Sequence, residues 1–289
     1  GWTYDYFGPP SPNDQFSAFK ADSLIIKLRT IDNEKAGNIA DGYTARRAQT
    51  LTSAEARVFL EGEWEKVNSV DSFVAAEVVD ACYDPTLTGD ITNGHCENGC
   101  PWVRWVAHSI HDVAAIAIGL DGSVKDDTTA IVGVASHPTK DSRLAVVFVQ
   151  ILMPDDAHHV DQDYLEDAFV GIWRDYNVFK SVYDKSELTG FAQRSRKRGV
   201  RLEEFSQHGP RVESDTGLRS LLDSRTLLHG GFAPLTQQIK NANAKRANSD
   251  DKDDRNKHVR IVKRRHDLKI DAAVTLGMAA QTYIERFGI

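Results

Sequence analysis

The sequence has little cysteine and no long apolar run. Its 289 residues include three cysteines, Cys82, Cys96 and Cys100. Three are too few for the disulfide framework of a small secreted domain and favour a reducing compartment. No apolar stretch approaches the roughly 20 residues of a membrane-spanning helix, and the N-terminal segment has neither the basic start nor the apolar core of an export signal. These absences predict a cytoplasmic protein with no membrane partner.

A phosphate-binding loop is also missing. The chain contains no Gly-x-x-x-x-Gly-Lys-Ser/Thr stretch, so nucleotide-driven motor activity is not predicted for it. What is present, 41% hydrophobic and 27% charged residues, is the ordinary composition of a globular protein. A chain of this length can bury one large core or two small ones.

The charge is acidic overall but basic in patches. The formal net charge is -7, yet residues 240–269 carry eleven Lys or Arg against five Asp, and residues 194–201 carry five basic residues and no acid. Such patches indicate a protein that meets a polyanion at one face, although solvated loops and helix faces give the same pattern. The candidate DNA-binding residues are Arg194, Arg196, Lys197, Arg198, Lys245, Arg246, Lys263, Arg264 and Arg265.

One loop carries a candidate structural zinc site. The segment GHCENGCPW places His95, Cys96 and Cys100 close together, and Cys82 is a candidate fourth ligand. Zinc takes four N or S ligands in a tetrahedron, but this spacing is not diagnostic. A plain loop with free thiols is the alternative.

From about residue 113 onward, the hydrophobic pattern is that of an α/β domain. Three apolar runs, VAAIAIGL, TTAIVGVA and RLAVVFVQIL, are separated by polar turns too short for crossover helices, so we predict an antiparallel meander. A helix over DQDYLEDAFVGIWRDY and a strand over VFKSVY follow. Later helices are predicted near 187–198, 211–226 and 234–244, with strands at VRLEEFS and HVRIVK and a final helix at IDAAVTLGMAAQTYIERF.

The first part of the chain has a different pattern. We predict that residues 1–110 form a mostly helical and loop appendage, or a linker from a preceding domain, and that residues 111–289 form the main domain. Within the appendage, TSAEARVFLEGEWEK and SFVAAEVVDAC are predicted helices. The segment ANSDDKDDRNK is a predicted mobile loop.

The order of elements after residue 110 resembles that of a ribonuclease H-like domain, a mixed sheet of an antiparallel meander plus parallel strands flanked by helices. In that order the first and fourth strands are neighbours, so Asp121 and Asp184 at their ends would lie side by side. Asp271 opens the last helix and would face both. Each residue also has a simpler interpretation, as a turn residue, a strand terminator and a helix N-terminal residue respectively.

Three converging carboxylates repel one another, so their arrangement makes sense chiefly around divalent cations. Oxygen ligands favour Mg²⁺ or Mn²⁺ over zinc. Two such ions roughly 4 Å apart can activate a water molecule and stabilise the leaving oxygen of a phosphodiester. The three residues are therefore predicted to be catalytic and metal-binding.

Four segments in the same order resemble the C-terminal nuclease domain of the large terminase subunit of tailed bacteriophages. They are GLDGSVKDDTTAIVGV, SVYDKSE, LLHGGFAPLTQQIKNANAKR and KIDAAVTLGMAA, within a match that covers about 60% of the chain. The segment LTSAEARVFLEGEWEK is similar to the stretch that joins the family's packaging ATPase to its nuclease.

The resemblance implies a Mg²⁺- or Mn²⁺-dependent endodeoxyribonuclease with two bound ions, which cuts concatemeric viral DNA at the start and end of packaging in the host cell cytoplasm. Asp121, Asp184 and Asp271 would be its metal-binding acids, with Asp127 as a fourth ligand or a structural turn residue. His229 and Asn241 would pack or position the site. The implied partners are double-stranded DNA, the portal and the small terminase subunit, with oligomerisation in the motor and a monomer for an isolated domain.

Three alternatives remain open on the sequence. A transposase or resolvase would use the same acids on different DNA. An actin-like ATPase or sugar kinase also has an Asp, Gly and Thr hairpin like the one at Asp121, but would need a second phosphate hairpin and a Gly-rich adenosine loop, and neither is found. A non-catalytic DNA- or portal-binding domain would not need three acids at one focus.

Overall fold

The computed structural model describes residues 16–20, 23–26, 29–48, 60, 71–122, 127–246, 259–265 and 267–289. The chain divides into two compact units, residues 1–71 and 72–289. Apart from Leu60, the predicted helix over TSAEARVFLEGEWEK and the predicted loop ANSDDKDDRNK lie outside the described residues. No helix in the described part of the chain has the length and apolar character needed to cross a membrane.

The first unit contains four described elements. Strands β1 (Phe16–Lys20) and β2 (Ser23–Ile26) form an antiparallel hairpin, and helices α1 (Thr30–Lys35) and α2 (Tyr43–Ala48) follow. The Glu34 carboxylate accepts hydrogen bonds from the backbone N–H groups of Gly42 and Thr44 at 2.5 and 2.8 Å. This carboxylate fixes the turn that leads into α2.

The second unit is built on an eight-stranded mixed sheet. Its strand order is β10–β9–β6–β7–β8–β5–β4, with β11 paired to β8. Strands β6, β7 and β8 form the predicted antiparallel meander, and β9 runs parallel to β6 on its other side. The strand bounds are β4 Gly89–His95, β5 Pro101–Ala107, β6 Ile116–Gly122, β7 Thr129–Ser136, β8 Leu144–Leu152, β9 Val178–Tyr183, β10 Leu202–Glu204 and β11 Leu227–Leu228.

Helices flank this sheet, and a smaller sheet adjoins it. Residues of β7 and β8 are buried almost without interruption, as expected for central strands covered on both faces. The small sheet has the order β13–β12–β3, with β3 Asp71–Ser72, β12 Ala242–Arg246 and β13 Val259–Lys263. The helices are α3 Ala76–Ala81, α4 Gln162–Asp175, α5 Lys185–Lys197, α6 Gly209–Asp223, α7 Ala233–Asn241 and α8 Asp271–Phe287. This is the predicted fold class.

The boundary between the units differs from the predicted one at residue 110. Strand β5 pairs with β8 and β4 pairs with β5, so residues 89–107 extend the main sheet rather than belong to an appendage. The β4 sequence GDITNGH is mostly exposed and lacks the apolar alternation of a half-buried strand. The structure therefore places the division at 71/72.

Two buried histidines tie the start of the second unit to the main sheet. The Nδ1 atom of His137 accepts the backbone N–H groups of Thr139 and Lys140 at 3.2 and 3.1 Å, so Nε2 donates to the Asp84 carboxylate at 3.0 Å. His229 has the same pattern, because Nδ1 accepts from Gly231 N–H and Nε2 donates to a backbone carbonyl. Burial lowers the pKa of both rings. Both are structural groups held neutral, and His229 has the predicted packing role.

We expect acid to weaken the contribution of His229 to stability. Its folded pKa lies below the ordinary value near 6.5, so below about pH 6.5 the unfolded chain binds more protons and the stabilisation is lost. Urea unfolding of wild type and His229→Gln should show that the advantage of the wild type shrinks between pH 7.5 and pH 5.5. Comparison with the variant removes the effect of other titrating groups. An advantage that is constant across this range would contradict the assignment.

Candidate metal-binding acidic site

Asp121 and Asp184 lie side by side on neighbouring parallel strands. Leu120 of β6 pairs with Tyr183 of β9, and the backbone N–H of Asp184 donates to the Leu120 carbonyl at 3.1 Å. The next positions in this register are Asp121 and Asp184, and residues in register on adjacent strands point to the same face. The sheet therefore brings together two carboxylates that are 63 positions apart in the sequence.

Asp271 is brought to the same end of the sheet by close packing of helix α8. A Cβ atom on Gly119 would lie 2.3 Å from the Thr275 carbonyl oxygen, so β6 and α8 approach each other closely there. Asp121 lies two residues beyond Gly119 on the same face, and Asp271 lies one turn before Thr275. The hydroxyl of Thr128, the residue directly before β7, donates to Asp271 Oδ2. Asp271 therefore faces the strand ends, as the element order predicts.

The raised pKa values of Asp121 and Asp271 show that several carboxylates lie close together at this end of the sheet. Burial raises the pKa of Asp121 to about 7, repulsion from Asp271 and Asp184 adds to the shift, and Arg211 opposes it. Burial likewise raises the pKa of Asp271 to about 6, reinforced by Asp127 and opposed by Thr128 and Lys263. A cation placed here would relieve this repulsion.

Asp127 is in a different environment from the other acids. Lys263 Nζ contacts Asp127 Oδ2, and Lys269 Nζ lies 3.0 Å from Oδ1. Burial alone would raise the pKa of Asp127, but the hydrogen bonds from Lys263 and Lys269 outweigh it and the pKa is lowered. Its negative charge is therefore compensated directly by two lysines, and its pKa falls where that of Asp121 rises.

A buried arginine lies behind the acids. Arg211 in α6 is 5% exposed and is held by both carboxylate oxygens of Asp215, at 2.9 and 3.0 Å, and by Gln207 at 2.9 Å. Asp215 also accepts the backbone N–H of Ile261 in β13 at 2.8 Å. This network fixes α6 to β13 and places a permanent positive charge near Asp121.

The donor set fits a hard divalent cation. Asp121, Asp184 and Asp271 offer only carboxylate oxygens, which Mg²⁺ and Mn²⁺ prefer. Among the described residues, no three His, Cys, Asp or Glu side chains are close enough together to bind one metal ion by themselves. The three acids therefore lie at one end of the sheet without forming a complete coordination shell. Two-ion sites that bind through substrate phosphates as well as protein carboxylates have this open character.

The structure does not bring the proposed zinc ligands together. The Cys82 thiol donates to the Leu222 carbonyl, while Cys96 and Cys100 close the turn after β4, where Cys96 N–H donates to the Cys100 carbonyl at 2.8 Å. His95 is exposed, and burial raises the pKa of all three thiols, to about 12 for Cys96. The Cys96 and Cys100 thiols are adjacent, but Cys82 lies in another part of the fold, and three buried free thiols correspond to the free-thiol alternative.

The arginines of the basic run at 194–198 form ion pairs and hydrogen bonds away from the three acids. Arg194 pairs with Glu166 at 2.6 Å, and Arg198 pairs with Asp167 at 2.6 Å and Glu166 at 3.3 Å, all between α5 and α4. Arg196 donates to the Leu202 carbonyl, and Lys197 is exposed. Since α5 starts directly after Asp184, this last turn lies roughly 15 Å farther along the helix. Arg194 and Arg198 hold two helices together, and their role in DNA binding stays a prediction.

The second basic group lies nearer to the acids. Lys263 contacts Asp127, Arg264 donates to Asn243 at 3.1 Å, and Arg265 pairs with Asp267 at 2.9 Å. Lys245 is exposed on β12, and the side chain of Arg246 lies outside the described residues. The β12–β13 hairpin therefore carries basic residues beside the acidic end of the sheet.

Sequence reasoning missed three residues of this site: Thr128, Lys269 and Arg211. Thr128 stands in the quoted DDTTA segment and Lys269 in KIDAAV, but nothing local distinguishes their side chains from surface residues. Arg211 had one weak signal, because an Asp four residues later on a helix is a favourable pair. Their partners are distant in sequence and became visible only in the fold.

Comparison with known proteins shows the fold. No family model and no curated protein matches the chain. Among solved structures, the large terminase of bacteriophage HK97 is similar over 83% of this chain and 49% of its own, at 17% identity and TM-score 0.53. The large terminase nuclease of thermophilic phage G20c with bound magnesium is similar over 74% of this chain and 98% of its own, at 12% identity and TM-score 0.50.

The fold is therefore that of phage large terminase nuclease domains, and the predicted resemblance is confirmed at this level. This chain spans about half the length of the HK97 protein.

Proposed function

We propose that this chain is a divalent-metal-dependent DNA endonuclease of the large terminase type. The observation that carries the proposal is the meeting of Asp121, Asp184 and Asp271 at one end of the sheet, from the end of β6, the residue after β9 and the start of α8. The G20c nuclease, which has the same fold, binds magnesium. The raised pKa values of Asp121 and Asp271 support a site that awaits a cation.

The chemistry follows from the residue types. Bound Mg²⁺ or Mn²⁺, two ions in the proposal, would supply an activated water and stabilise the leaving oxygen of the phosphodiester. Asp121, Asp184 and Asp271 would hold the ions from three separate elements. Basic residues of the β12–β13 hairpin, such as Lys245, would attract the DNA backbone without reading bases.

The biological setting is also part of the proposal. We propose that the enzyme cuts concatemeric viral DNA at the beginning and end of genome packaging, in the host cell cytoplasm. Its partners would be double-stranded DNA, the portal and the small terminase subunit, within an oligomeric motor. These statements rest on the likeness to large terminases, of which the chain covers about half in the HK97 case.

Cleavage of supercoiled plasmid tests the proposed activity. We expect the protein to convert plasmid to nicked and linear forms with Mn²⁺ or Mg²⁺ and to leave it intact with EDTA, because in the proposal the bound ions supply the activated water and stabilise the leaving oxygen. Agarose gel analysis over a metal titration measures the conversion. Cutting that persists in EDTA, or intact plasmid at every metal concentration, would count against the proposal.

A further inference from the structure

We propose that Thr128 is a positioning residue that orients the Asp271 carboxylate, and that Asp127, Lys263 and Lys269 form a clamp that holds Thr128 in place. The inference rests on the proposed metal-dependent function and assigns Asp127 to the clamp instead of the ligand set. It follows from side-chain contacts that join β7, β13 and the start of α8.

The contact between Thr128 and Asp271 is buried. Thr128 is 5% exposed and Asp271 is 8% exposed, and the Thr128 hydroxyl donates to Asp271 Oδ2. Thr128 directly precedes β7, whose first residue, Thr129, pairs with Gly122 of β6. Thr128 therefore links the carboxylate on α8 to β7, the neighbour of the strand that carries Asp121.

The clamp engages both oxygens of the Asp127 carboxylate. Oδ2 contacts Lys263 Nζ, while Oδ1 accepts from Lys269 Nζ at 3.0 Å and from the Thr128 backbone N–H at 3.1 Å. Two of these donors are ammonium groups, whose positive charge opposes binding of a metal ion at the same carboxylate. The three contacts suit Asp127 to fix the backbone of Thr128, so that the adjacent hydroxyl points to Asp271.

The far side of the clamp is anchored by helix α7. Asn241 Nδ2 donates to the Lys269 carbonyl at 3.2 Å, and Gln238 Oε1 accepts the Ala272 backbone N–H at 2.7 Å. The second bond satisfies one of the unpaired N–H groups at the start of α8. The Lys269 end of the Asp127–Lys269 contact is therefore attached to α7 through Asn241, for which the sequence predicts a packing or positioning role.

The hydrogen bond from Thr128 affects metal binding because a carboxylate without such a partner can rotate about its side-chain bonds. Partners that orient metal ligands typically contribute 10- to 100-fold to metal affinity or activity. The Thr128 hydroxyl selects one orientation of Asp271 before the ion arrives, which reduces the entropy lost on binding. Loss of the hydroxyl should therefore weaken metal binding while leaving the carboxylate itself in place.

Mn²⁺ binding to matched threonine variants tests the role of Thr128. Electron paramagnetic resonance of free Mn²⁺ gives the dissociation constant without any cleavage assay. We expect Thr128→Val, which removes only the hydroxyl donor, to weaken Mn²⁺ binding about tenfold, and Thr128→Ser to recover most of the affinity. Thr282→Val is the control, since its buried hydroxyl bonds the Met278 carbonyl farther along α8. Equal affinity of Thr128→Val and wild type, or equal loss in the Val and Ser variants, would overturn the role.

The clamp and a purely electrostatic effect predict opposite changes in Mn²⁺ affinity when the two lysines are replaced. Asp127→Asn makes the site more positive, and the double variant Lys263→Gln with Lys269→Gln makes it more negative. If these groups act only through charge, Mn²⁺ binding weakens in the first and tightens in the second. We expect weaker binding in both, and little added loss on combination with Thr128→Val, because all three changes break one network. Tighter binding in the double lysine variant would overturn the clamp.

The same titration separates failure of this inference from failure of the proposed function. Wild-type protein that binds Mn²⁺, with Thr128→Val unchanged, refutes only the positioning role. Wild-type protein that takes up no Mn²⁺ refutes the metal-dependent function and the inference with it.

Discussion

Asp121→Asn and Asp271→Asn are each expected to lower metal-dependent DNA cleavage by about 10³-fold or more. A metal ligand that stabilises charge in the transition state is worth several kcal/mol, and about 4 kcal/mol corresponds to 10³ in rate. Asparagine keeps the shape of aspartate but removes the charge that would hold the ion. Initial rates of plasmid nicking at saturating Mn²⁺ measure the effect.

The same variants should stabilise the metal-free protein at alkaline pH. The pKa of Asp121 is raised to about 7 and that of Asp271 to about 6, so the folded state binds more protons than the unfolded chain and loses stability as the pH rises through these values. Replacement by asparagine removes this repulsion. Metal-free urea unfolding at pH 8 should therefore show a gain for both variants, the opposite of what loss of a structural ion pair would cause.

Asp141→Asn is the matched control for both measurements. Asp141 is exposed in the turn between β7 and β8, at the opposite end of the strands from Asp121. Its replacement should change neither cleavage nor stability. Comparable loss of cleavage in Asp141→Asn, or full activity in Asp271→Asn, would refute the assignment of the site.

Gly119→Ala is expected to disrupt the site through packing alone. The added Cβ atom would lie 2.3 Å from the Thr275 carbonyl oxygen, which belongs to the backbone of α8 and cannot rotate away. Overpacking of this kind costs about 3 kcal/mol in the free energy of unfolding. The helix must move away from β6, and a shift of about 1 Å in a catalytic group lowers the rate about 100-fold.

Gly171→Ala provides the comparison for this effect. Gly171 lies inside α4, and beyond its chain neighbours and the adjacent backbone of its own helix no atom lies within 4 Å of the position that its Cβ would take. Alanine there should raise stability by about 0.5–1 kcal/mol, because glycine is unfavourable within a helix. Chemical denaturation and plasmid nicking of both variants give the two readouts. A Gly119→Ala protein as stable and active as wild type would show that the close approach of β6 and α8 is not required.

Most of the fold could be predicted from the sequence, because the central strands have a clear hydrophobic pattern. The runs at 116–122, 129–136 and 144–152 are apolar, short and separated by polar turns, and they form the meander as predicted. A predicted helix end differs from the observed one where the following residues form a strand. The helix predicted near 234–244 ends at Asn241, because residues 242–246 pair with β13. The β4–β5 hairpin was missed because an exposed edge strand needs no apolar alternation.

The site was only partly accessible from the sequence. Asp121 and Asp184 end apolar strands, so the strand order alone predicts that they are neighbours. The clamp around Asp127 was not predictable, since Lys263 lies 136 positions away and only the fold shows that the two touch. The basic run at 194–198 was predicted to bind DNA from its charge, and that role stays a prediction. The pairing of Arg194 and Arg198 with Glu166 and Asp167 was not predictable, because no local pattern places α4 beside α5.

The most direct test of the account is the position of bound Mn²⁺ in crystals of this protein. Anomalous diffraction near the manganese edge locates the ion independently of any assay. The account predicts density within about 2–2.3 Å of carboxylate oxygens of Asp121 and Asp271, with Asp184 beside it and Asp127 still paired with its lysines. Manganese bound elsewhere on the protein, or no manganese at this end of the sheet at millimolar concentration, would contradict the account.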